Sequence, residues 1–155
     1  MDKDLEFDFK KLNKFVKCLS TDMVVQVGIF GKKNDRKDSD GMTNAEVGFI
    51  HEFGQPPHIP RRSFLRMPIY QSVDIILSQV KKAGALKKLA DGKMIQVLAD
   101  LGIACEIAIQ NAFASGGWGD WKPNRPFTIE KKGSSAPLID TGQLRRSIAS
   151  AVVNS

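Results

Sequence analysis

The chain has 155 residues, of which 42% are hydrophobic, 26% are charged and 8% are aromatic. These proportions exclude collagen-like, coiled-coil and disordered classes, and they predict a single domain over residues 1–155. Lysine and arginine number 23 against 17 acidic residues, so the formal net charge is +6 at neutral pH. This mild positive charge favours acidic partners, but it is weaker than the concentrated charge of a dedicated duplex-binding protein.

The first predicted elements are a helix, a strand and a polar loop. Apolar residues at helical spacing predict an amphipathic helix from Phe9 to Leu19, with Asp8 as a candidate cap. The run from Met23 to Phe30 is β-branched and apolar on both faces, which predicts a buried strand. Residues 31–42 are polar and carry charges of both signs, which predicts a solvated loop or arm.

A capping box predicts the next helix. Thr43 and Glu46 have the spacing at which a hydroxyl and a carboxylate each bond the other residue's backbone amide, and Gly54 stands where a helix would stop. We therefore expect a short helix over residues 44–53. A strand is the alternative, because larger and smaller side chains alternate from Val47 to His51.

Proline and glycine divide the middle of the chain. The segment from Gln55 to Pro60 contains three prolines, which predicts an extended surface loop. Pro68 suits the first turn of a helix that continues to Val80 and that Gly84 ends or bends. A longer helix is predicted from about Lys88 to Phe113, and its narrow polar stripe predicts contact on most sides.

Residues 115–137 contain four glycines and three prolines with almost no periodicity, which predicts a long loop or arm. Trp118 and Trp121 lie in this segment, and we expect both to pack on the domain or on a partner. Farther on, Leu138–Leu144 predicts a turn that caps a helical turn, and Ser147–Val153 predicts a strand. The predicted fold is therefore α+β, a small antiparallel or mixed sheet packed against two or three helices with long extended loops or arms.

A metal site and a membrane span are both disfavoured. The string His51-Glu52-Phe53-Gly54-Gln55 begins like the HExxH of zinc proteases, but Gln55 replaces the second histidine and His58 lies beyond two prolines. Cys18 and Cys105 are far apart and fit neither a disulfide framework nor a metal motif. The richest apolar stretch, Met94–Ala114, carries two acids, so it predicts a core helix.

A second catalytic signal is equally incomplete. Asp140-Thr141-Gly142 has the sequence of an aspartic-protease motif, but a working dyad needs a second such aspartate or a symmetric dimer. Gln143 and a charged, helical-looking segment follow it, unlike the buried strand that such a site requires. We expect a helix cap here, and we expect no enzyme activity, no metal and no cofactor.

Basic residues form four short clusters with acids interleaved, a pattern more typical of solvated faces or inter-subunit pairs than of a DNA groove. A basic nucleic-acid-binding module is the alternative function. The clusters are Lys32/Lys33/Arg36/Lys37, Arg61/Arg62/Arg66, Lys81/Lys82/Lys87/Lys88 and Arg145/Arg146.

Four segments follow one another in an informative order: NAEVGFIHEFG, IPRRSFLR, WKP and PLIDTGQLRRSI. They span Asn44–Gly54, Ile59–Arg66, Trp121–Pro123 and Pro137–Ile148. Over about residues 20–150 this order resembles the tail-completion and head-tail joining proteins of tailed bacteriophages, also called virion morphogenesis or minor tail proteins. The family often has proline where this chain has Ser63.

The resemblance implies a small α+β structural protein without catalysis that assembles as a homo-oligomeric ring in the neck or upper tail. Its role there would be tail completion, tail termination or head-tail joining between the tail tube and the connector. The implied partners are other copies, tail-tube proteins, and connector or head-completion proteins, with passing contact with DNA in the channel and no membrane. The implied location is the virion, and the host cytoplasm during assembly.

A ring subunit needs a rigid body and arms that reach its neighbours, and residues 31–42 and 115–137 are the candidate arms. Interface anchors are enriched in tryptophan and arginine. For Phe64 the alternative is a core position. We expect interface contacts at Arg61, Phe64, Trp118, Trp121 and Arg145, and structural turns or caps at Thr43, Glu46, Gly54, Asp140, Thr141 and Gly142.

Overall fold

The computed structural model describes residues 9–35 and 41–155, and this part of the chain forms a small α+β fold with an antiparallel two-stranded sheet, as predicted. Asp8, the candidate cap of the first helix, lies outside the described residues. The elements are α1 (Phe9–Leu19), β1 (Met23–Gly28), a 3₁₀ turn (Gly31–Asn34), α2 (Asn44–Phe53), α3 (Arg66–Gln71), α4 (Val73–Lys82), α5 (Ala85–Ala90), α6 (Met94–Ser115), α7 (Pro126–Lys132), α8 (Gln143–Ser147) and β2 (Ala149–Asn154).

The sheet joins the two ends of the described chain. β1 and β2 pair from Met23 opposite Asn154 to Gly28 opposite Ala149. The prediction that β1 is buried on both faces is wrong, because exposed and half-buried residues alternate along it and Val24 is 40% exposed. Only one face of this sheet packs against helix α6, so the alternation is that of a strand covered on one side.

Helix α6 crosses the sheet at a glycine. A Cβ atom at Gly102 would lie 2.5 Å from Ser150 Oγ and 2.7 Å from Ser150 Cβ, closer than real Cβ contacts allow. One turn farther along α6, Glu106 accepts a hydrogen bond from the same serine hydroxyl. The absence of a side chain at position 102 therefore sets how closely helix and sheet approach.

Gly102→Ala is expected to destabilise the fold by about 1–2 kcal/mol. Overpacking of this kind costs about 1–3 kcal/mol, and the gain in helix propensity, at most about 1 kcal/mol, does not offset it. Urea unfolding measures the difference, with Gly28→Ala as the control because a Cβ atom there meets nothing within 4 Å. A Gly102→Ala chain more stable than the wild type would contradict this account of the packing.

Two helices predicted as continuous are each divided in two. The helix that contains Pro68 breaks at Ser72, whose amide bonds the carbonyls of both Pro68 and Ile69, as is common at helix ends. The long helix predicted from Lys88 is α5 followed by α6, and Gly92 in the connection has a φ of 76°. Gly84 also has a left-handed backbone conformation, and it lies just beyond the end of α4 as predicted.

The capping box of α2 forms as predicted, and α2 covers residues 44–53. The Glu46 amide donates to Thr43 Oγ1 at 3.3 Å, and the Thr43 amide donates to Glu46 Oε2 at 2.8 Å. The backbone and hydroxyl bonds from Thr43 hold the pKa of Glu46 below its usual 4.5. Gly54 ends the helix with a φ of 80°, and a Cβ atom there would lie 2.8 Å from the Arg61 amide nitrogen.

Thr43→Ala is expected to lower stability by about 0.5–2 kcal/mol near neutral pH, because the cap hydroxyl is lost. Because folding lowers the pKa of Glu46, its contribution to the free energy of unfolding is present above pH 4.5 and is lost as the pH falls through the folded-state pKa. The stability difference between Thr43→Ala and wild type should therefore narrow in acid. Thermal unfolding across pH 3–7 tests this, with Glu46→Gln as the non-titrating control; an unchanged difference in acid would contradict it.

Two hydrophobic clusters share α6. Ala104, Cys105 and Ala108 of this helix face one cluster, while Ile109 and Phe113 face the other. Phe64 is 1% exposed and belongs to the second cluster, so its side chain is unavailable to a partner and the core alternative replaces the interface prediction. The clusters consist of Ile76, Val80, Ala85, Ala104, Cys105 and Ala108, and of Phe64, Ile109, Phe113, Leu138, Leu144 and Ile148.

Helix α6 is also long and apolar enough to cross a membrane, judged by length and composition alone. The core helix of a soluble protein passes the same test. In this fold 39% of its most apolar window is buried, and it packs on both strands and on α3, α4 and α5. Ile95, Ile103 and Ile107 are nevertheless 56%, 56% and 42% exposed, so the predicted contact on most sides is only partly made within a single chain.

The two predicted arms contain more structure than expected. Residues 31–34 form a 3₁₀ turn that is joined to α2, because Asn34 Oδ1 accepts a bond from the Ala45 amide at 2.7 Å. Residues 36–40 of that segment lie outside the described ranges. Within 115–137 the chain forms α7, which begins at Pro126, a position where proline's missing amide is harmless.

The three-proline segment is a tight turn rather than an extended loop. Gln55 and Ile59 exchange backbone hydrogen bonds of 2.8 and 2.9 Å, and the Pro56–Pro57 peptide is cis. The turn lets the chain reverse immediately after α2, so the residues after Pro60 run back along that helix.

Candidate functional site

Glu52 of α2 is a buried carboxylate that ties this helix to the segment preceding α3. It is 4% exposed and accepts hydrogen bonds from Ser63 Oγ at 2.6 Å and from the Leu65 amide at 2.9 Å. Arg66 Nε forms an ion pair with it at 2.9 Å. The carboxylate of the HEFG segment is therefore fully engaged in positioning the chain.

Arg62 forms a second buried connection, to the segment that follows Trp121. It is 5% exposed, and its guanidinium donates to the carbonyls of Lys122 at 2.8 Å and Pro123 at 3.1 Å. Burial lowers the pKa of Arg62 from its ordinary value. The acceptors around this buried cation are neutral oxygens, two backbone carbonyls and the Asn124 side-chain amide.

Asn124 extends the connection toward the C-terminal segment. Its Oδ1 accepts from Arg62 at 3.3 Å, and its Nδ2 donates to the carbonyls of Ser135 at 3.3 Å and Ala136 at 3.1 Å. Three buried polar residues thus join four parts of the chain, and we name this cluster of Glu52, Arg62 and Asn124 the motif junction. The four parts are α2, the segment before α3, residues 122–125 and the residues just before Pro137.

The Asp140-Thr141-Gly142 segment is a surface turn. Asp140 is exposed, unlike the buried aspartate of a protease dyad. Gly142 has a φ of 75°, and the Gln143 amide that begins α8 donates to Thr141 Oγ1 at 3.4 Å. Arg146 closes the turn by donating to the Thr141 carbonyl at 2.9 Å.

The histidines and this turn meet at one cavity of about 330 Å³. Three cationic side chains and one carboxylate lie on its wall, a pattern that favours an anionic group. Burial lowers the pKa of Lys132, Asp140 acts in the opposite direction, and Arg62 lowers it further. The titratable lining residues are His51, His58, Arg62, Arg125, Lys132 and Asp140.

Within residues 9–35 and 41–155, no group of three or more histidine, cysteine or acidic side chains could hold a metal ion. Cys18 and Cys105 are buried, separate thiols, and burial together with Glu106 raises the pKa of Cys105. The described polar residues position backbone segments and surfaces.

The remaining predicted interface residues divide between surface and interior. Arg61 is exposed, and Trp118 is 46% exposed beside the C-terminal end of α6. Trp121 is half-buried and packs edge-on against Phe113, with ring centroids 5.6 Å apart. Arg145 Nε donates to Gln110 Oε1 at 2.7 Å, so its side chain is held against α6.

The sequence did not predict that α1 turns its apolar residues to solvent. Leu12, Phe15, Val16 and Leu19 are 40%, 36%, 52% and 55% exposed and lie on one side of the helix. Cys18, on a different side, is buried, so α1 docks through its less apolar side. We name the four exposed residues the α1 face.

A groove between α4 and α6 is the second unexpected surface. It has a volume of about 390 Å³, its apolar wall includes Ile75, Ile107 and Trp118, and Asp120 lies at its edge. Ile75 is 61% exposed. The sequence does indicate that α4 has more apolar sides than one core contact needs. Its apolar residues are Val73, Ile75, Ile76, Leu77 and Val80. We name this surface the α4/α6 groove.

Comparison of the chain with models of protein families, with curated proteins and with solved structures finds no match.

Proposed function

We propose that this chain is a structural protein of the neck or upper tail of a tailed bacteriophage, where it assembles as a ring between the tail tube and the connector. It works through shape and self-association in tail completion, tail termination or head-tail joining. No side chain performs catalysis, and the polar residues of its characteristic segments hold the subunit together.

The ordered set of four segments carries the proposal, and the motif junction supports it. Glu52 of the first segment accepts a hydrogen bond from Ser63 of the second, and Arg62 of the second donates to the Lys122 carbonyl of the third. Buried polar groups whose hydrogen bonds are satisfied within the chain fix the positions of the segments that they join. Their use in packing is what a structural protein requires.

The amount of exposed surface also supports self-association. Large apolar residues contribute to it on α1, α4 and α6. Such patches mark interaction sites.

Multi-angle light scattering of the purified chain, alone and with tail-tube or connector protein, tests the proposal. We expect a closed oligomer of fixed mass in at least one of these conditions. A stable monomer that ignores both partners would contradict it. Tight duplex binding with a steep salt dependence in such a monomer would favour the nucleic-acid-binding alternative instead.

A further inference from the structure

We propose that the cavity beside the motif junction is a binding site for a small molecule that carries a phosphate group. We name it the basic cavity, after Arg62, Arg125 and Lys132 on its wall. Its volume of about 330 Å³ lies at the lower end of the range of small-molecule pockets, about 300–1,000 Å³. The site is independent of ring assembly, because one chain supplies all of these residues.

Arg62 is a buried cation without a counter-charge. It is 5% exposed, and no ion pair of the described residues includes it. Its Nε and Nη2 donate to neutral oxygens, while its Nη1 donates no hydrogen bond within the described part of the chain. A buried charge without a partner of opposite sign is costly, because the protein interior solvates it poorly. An anion in the cavity would supply that partner.

Two further cations line the same cavity. Lys132 and Arg125 each donate one hydrogen bond to a backbone carbonyl, at 3.4 and 2.8 Å, which leaves other N–H groups of both side chains to donate. Burial lowers the pKa of Lys132 and Arg62 lowers it further, although Asp140 raises it. The two cations therefore repel each other across the cavity, and a bound anion would relieve that repulsion.

The balance of charge indicates the class of ligand. Asp140 is the one carboxylate among the described lining residues, so the three cations leave an excess of positive charge. A phosphate group has several oxygens that accept charge-assisted hydrogen bonds, and the planar guanidinium of arginine matches its geometry. His58 also lines the cavity, and its ring can donate to the same group.

A small ligand suits the position of these cations better than the backbone of a nucleic acid does. A duplex contacts side chains that reach its phosphates from an exposed surface. Arg62 is instead buried, and Lys132 is half-buried. A group must enter the cavity to contact both.

Isothermal titration calorimetry of the full chain with inorganic phosphate tests the site, in chloride buffer at constant ionic strength. Lys132→Gln removes one cation of the cavity. Lys131→Gln is the matched control, because Lys131 is exposed on the same helix and does not line the cavity. Arg125→Gln is the second cavity variant, and it replaces Lys132→Gln if that chain misfolds. Arg62 stays unchanged because it holds the motif junction.

We expect the wild type and Lys131→Gln to bind phosphate saturably and with equal affinity. Lys132→Gln and Arg125→Gln should each bind about tenfold or more weakly, because a hydrogen bond between charged groups is lost. Phosphate should also raise the midpoint of thermal unfolding of the wild type more than that of either cavity variant, since the ligand binds only the folded chain.

The other outcomes overturn the proposal. Absence of saturable binding removes the site, and equal binding by the wild type and both cavity variants means an adventitious ion only. Acetate that binds more tightly than phosphate assigns the cavity to a carboxylate. A short DNA duplex that binds more tightly than phosphate, and that both cavity variants weaken, favours the nucleic-acid-binding alternative.

Discussion

Replacing Phe64 with alanine is expected to lower the free energy of unfolding by about 3–5 kcal/mol, the usual cost of deleting a buried phenylalanine. Phe64 is 1% exposed and lies 5.4 Å from Phe113 between ring centroids. A Cβ atom at Gly48 would lie only 3.3 Å from Phe64 Cζ, so the ring fills its site closely. The cavity left behind would have few ways to collapse.

Urea unfolding of the monomer, or of the wild type at a dilution where it is monomeric, measures this loss. Trp118→Ala is the matched control, because it removes a large aromatic ring that is 46% exposed. We expect that control to change the free energy of unfolding by less than about 1 kcal/mol and to weaken assembly. Equal destabilisation by both substitutions would contradict the division between core and surface drawn here.

Glu52→Ala is expected to destabilise the chain by about 2–4 kcal/mol. The substitution leaves the Ser63 hydroxyl and the Leu65 amide without their acceptor, and each such loss in a buried site costs about 1–3 kcal/mol. The ion pair with Arg66 adds less, because the arginine side chain is 56% exposed and solvent screens it. In a domain of this size the midpoint of thermal unfolding should fall by about 5–15 °C.

Differential scanning calorimetry of Glu52→Ala and Glu52→Gln checks this expectation, with Glu130→Ala on the exposed side of α7 as the control. The side-chain amide of Glu52→Gln keeps one oxygen acceptor, but its NH₂ group faces neighbours that are themselves hydrogen-bond donors. We therefore expect it to recover only part of the lost stability. A fully stable Glu52→Ala chain would show that the carboxylate has another purpose, and a search for catalysis at His51 and Glu52 would then be justified.

Local sequence signals predicted the elements whose causes are local. The Thr43 and Glu46 spacing predicted the start of α2 correctly, Gly54 predicted its end, and the apolar periodicity from Phe9 predicted α1. The C-terminal strand was correctly predicted as well, although it begins at Ala149, after α8. For the two helices the determining interactions lie within a few residues of one another, whereas the strand was predicted from its own residue pattern although it pairs with β1, far away in the sequence.

The breaks at Ser72 and Gly92 and the helix α7 were not predicted. Whether a glycine bends or ends a helix depends on what packs beside it, and Gly92 lies against α1, far away in sequence. The motif junction shows the same limit. Glu52 and Arg62 were noticed in the sequence and Asn124 was not, and the bonds from Ser63 to Glu52 and from Arg62 to Lys122 become visible only once the fold brings the segments together.

The exposed apolar surfaces were missed for a related reason. Helical periodicity predicted an amphipathic helix over Phe9–Leu19 but did not say what covers its apolar side. The amphipathic pattern is real, but it indicates only that one side of a helix prefers an apolar partner. Whether that partner is the helix's own domain or another copy is a property of the assembly.

The most direct test of the account is electron microscopy of phage particles made without this chain. If the chain is a ring subunit that joins tail to head, its loss should leave filled heads and finished or overlong tails that remain separate, and adding the purified protein should join them. Complete, infectious particles in its absence would contradict the central claim.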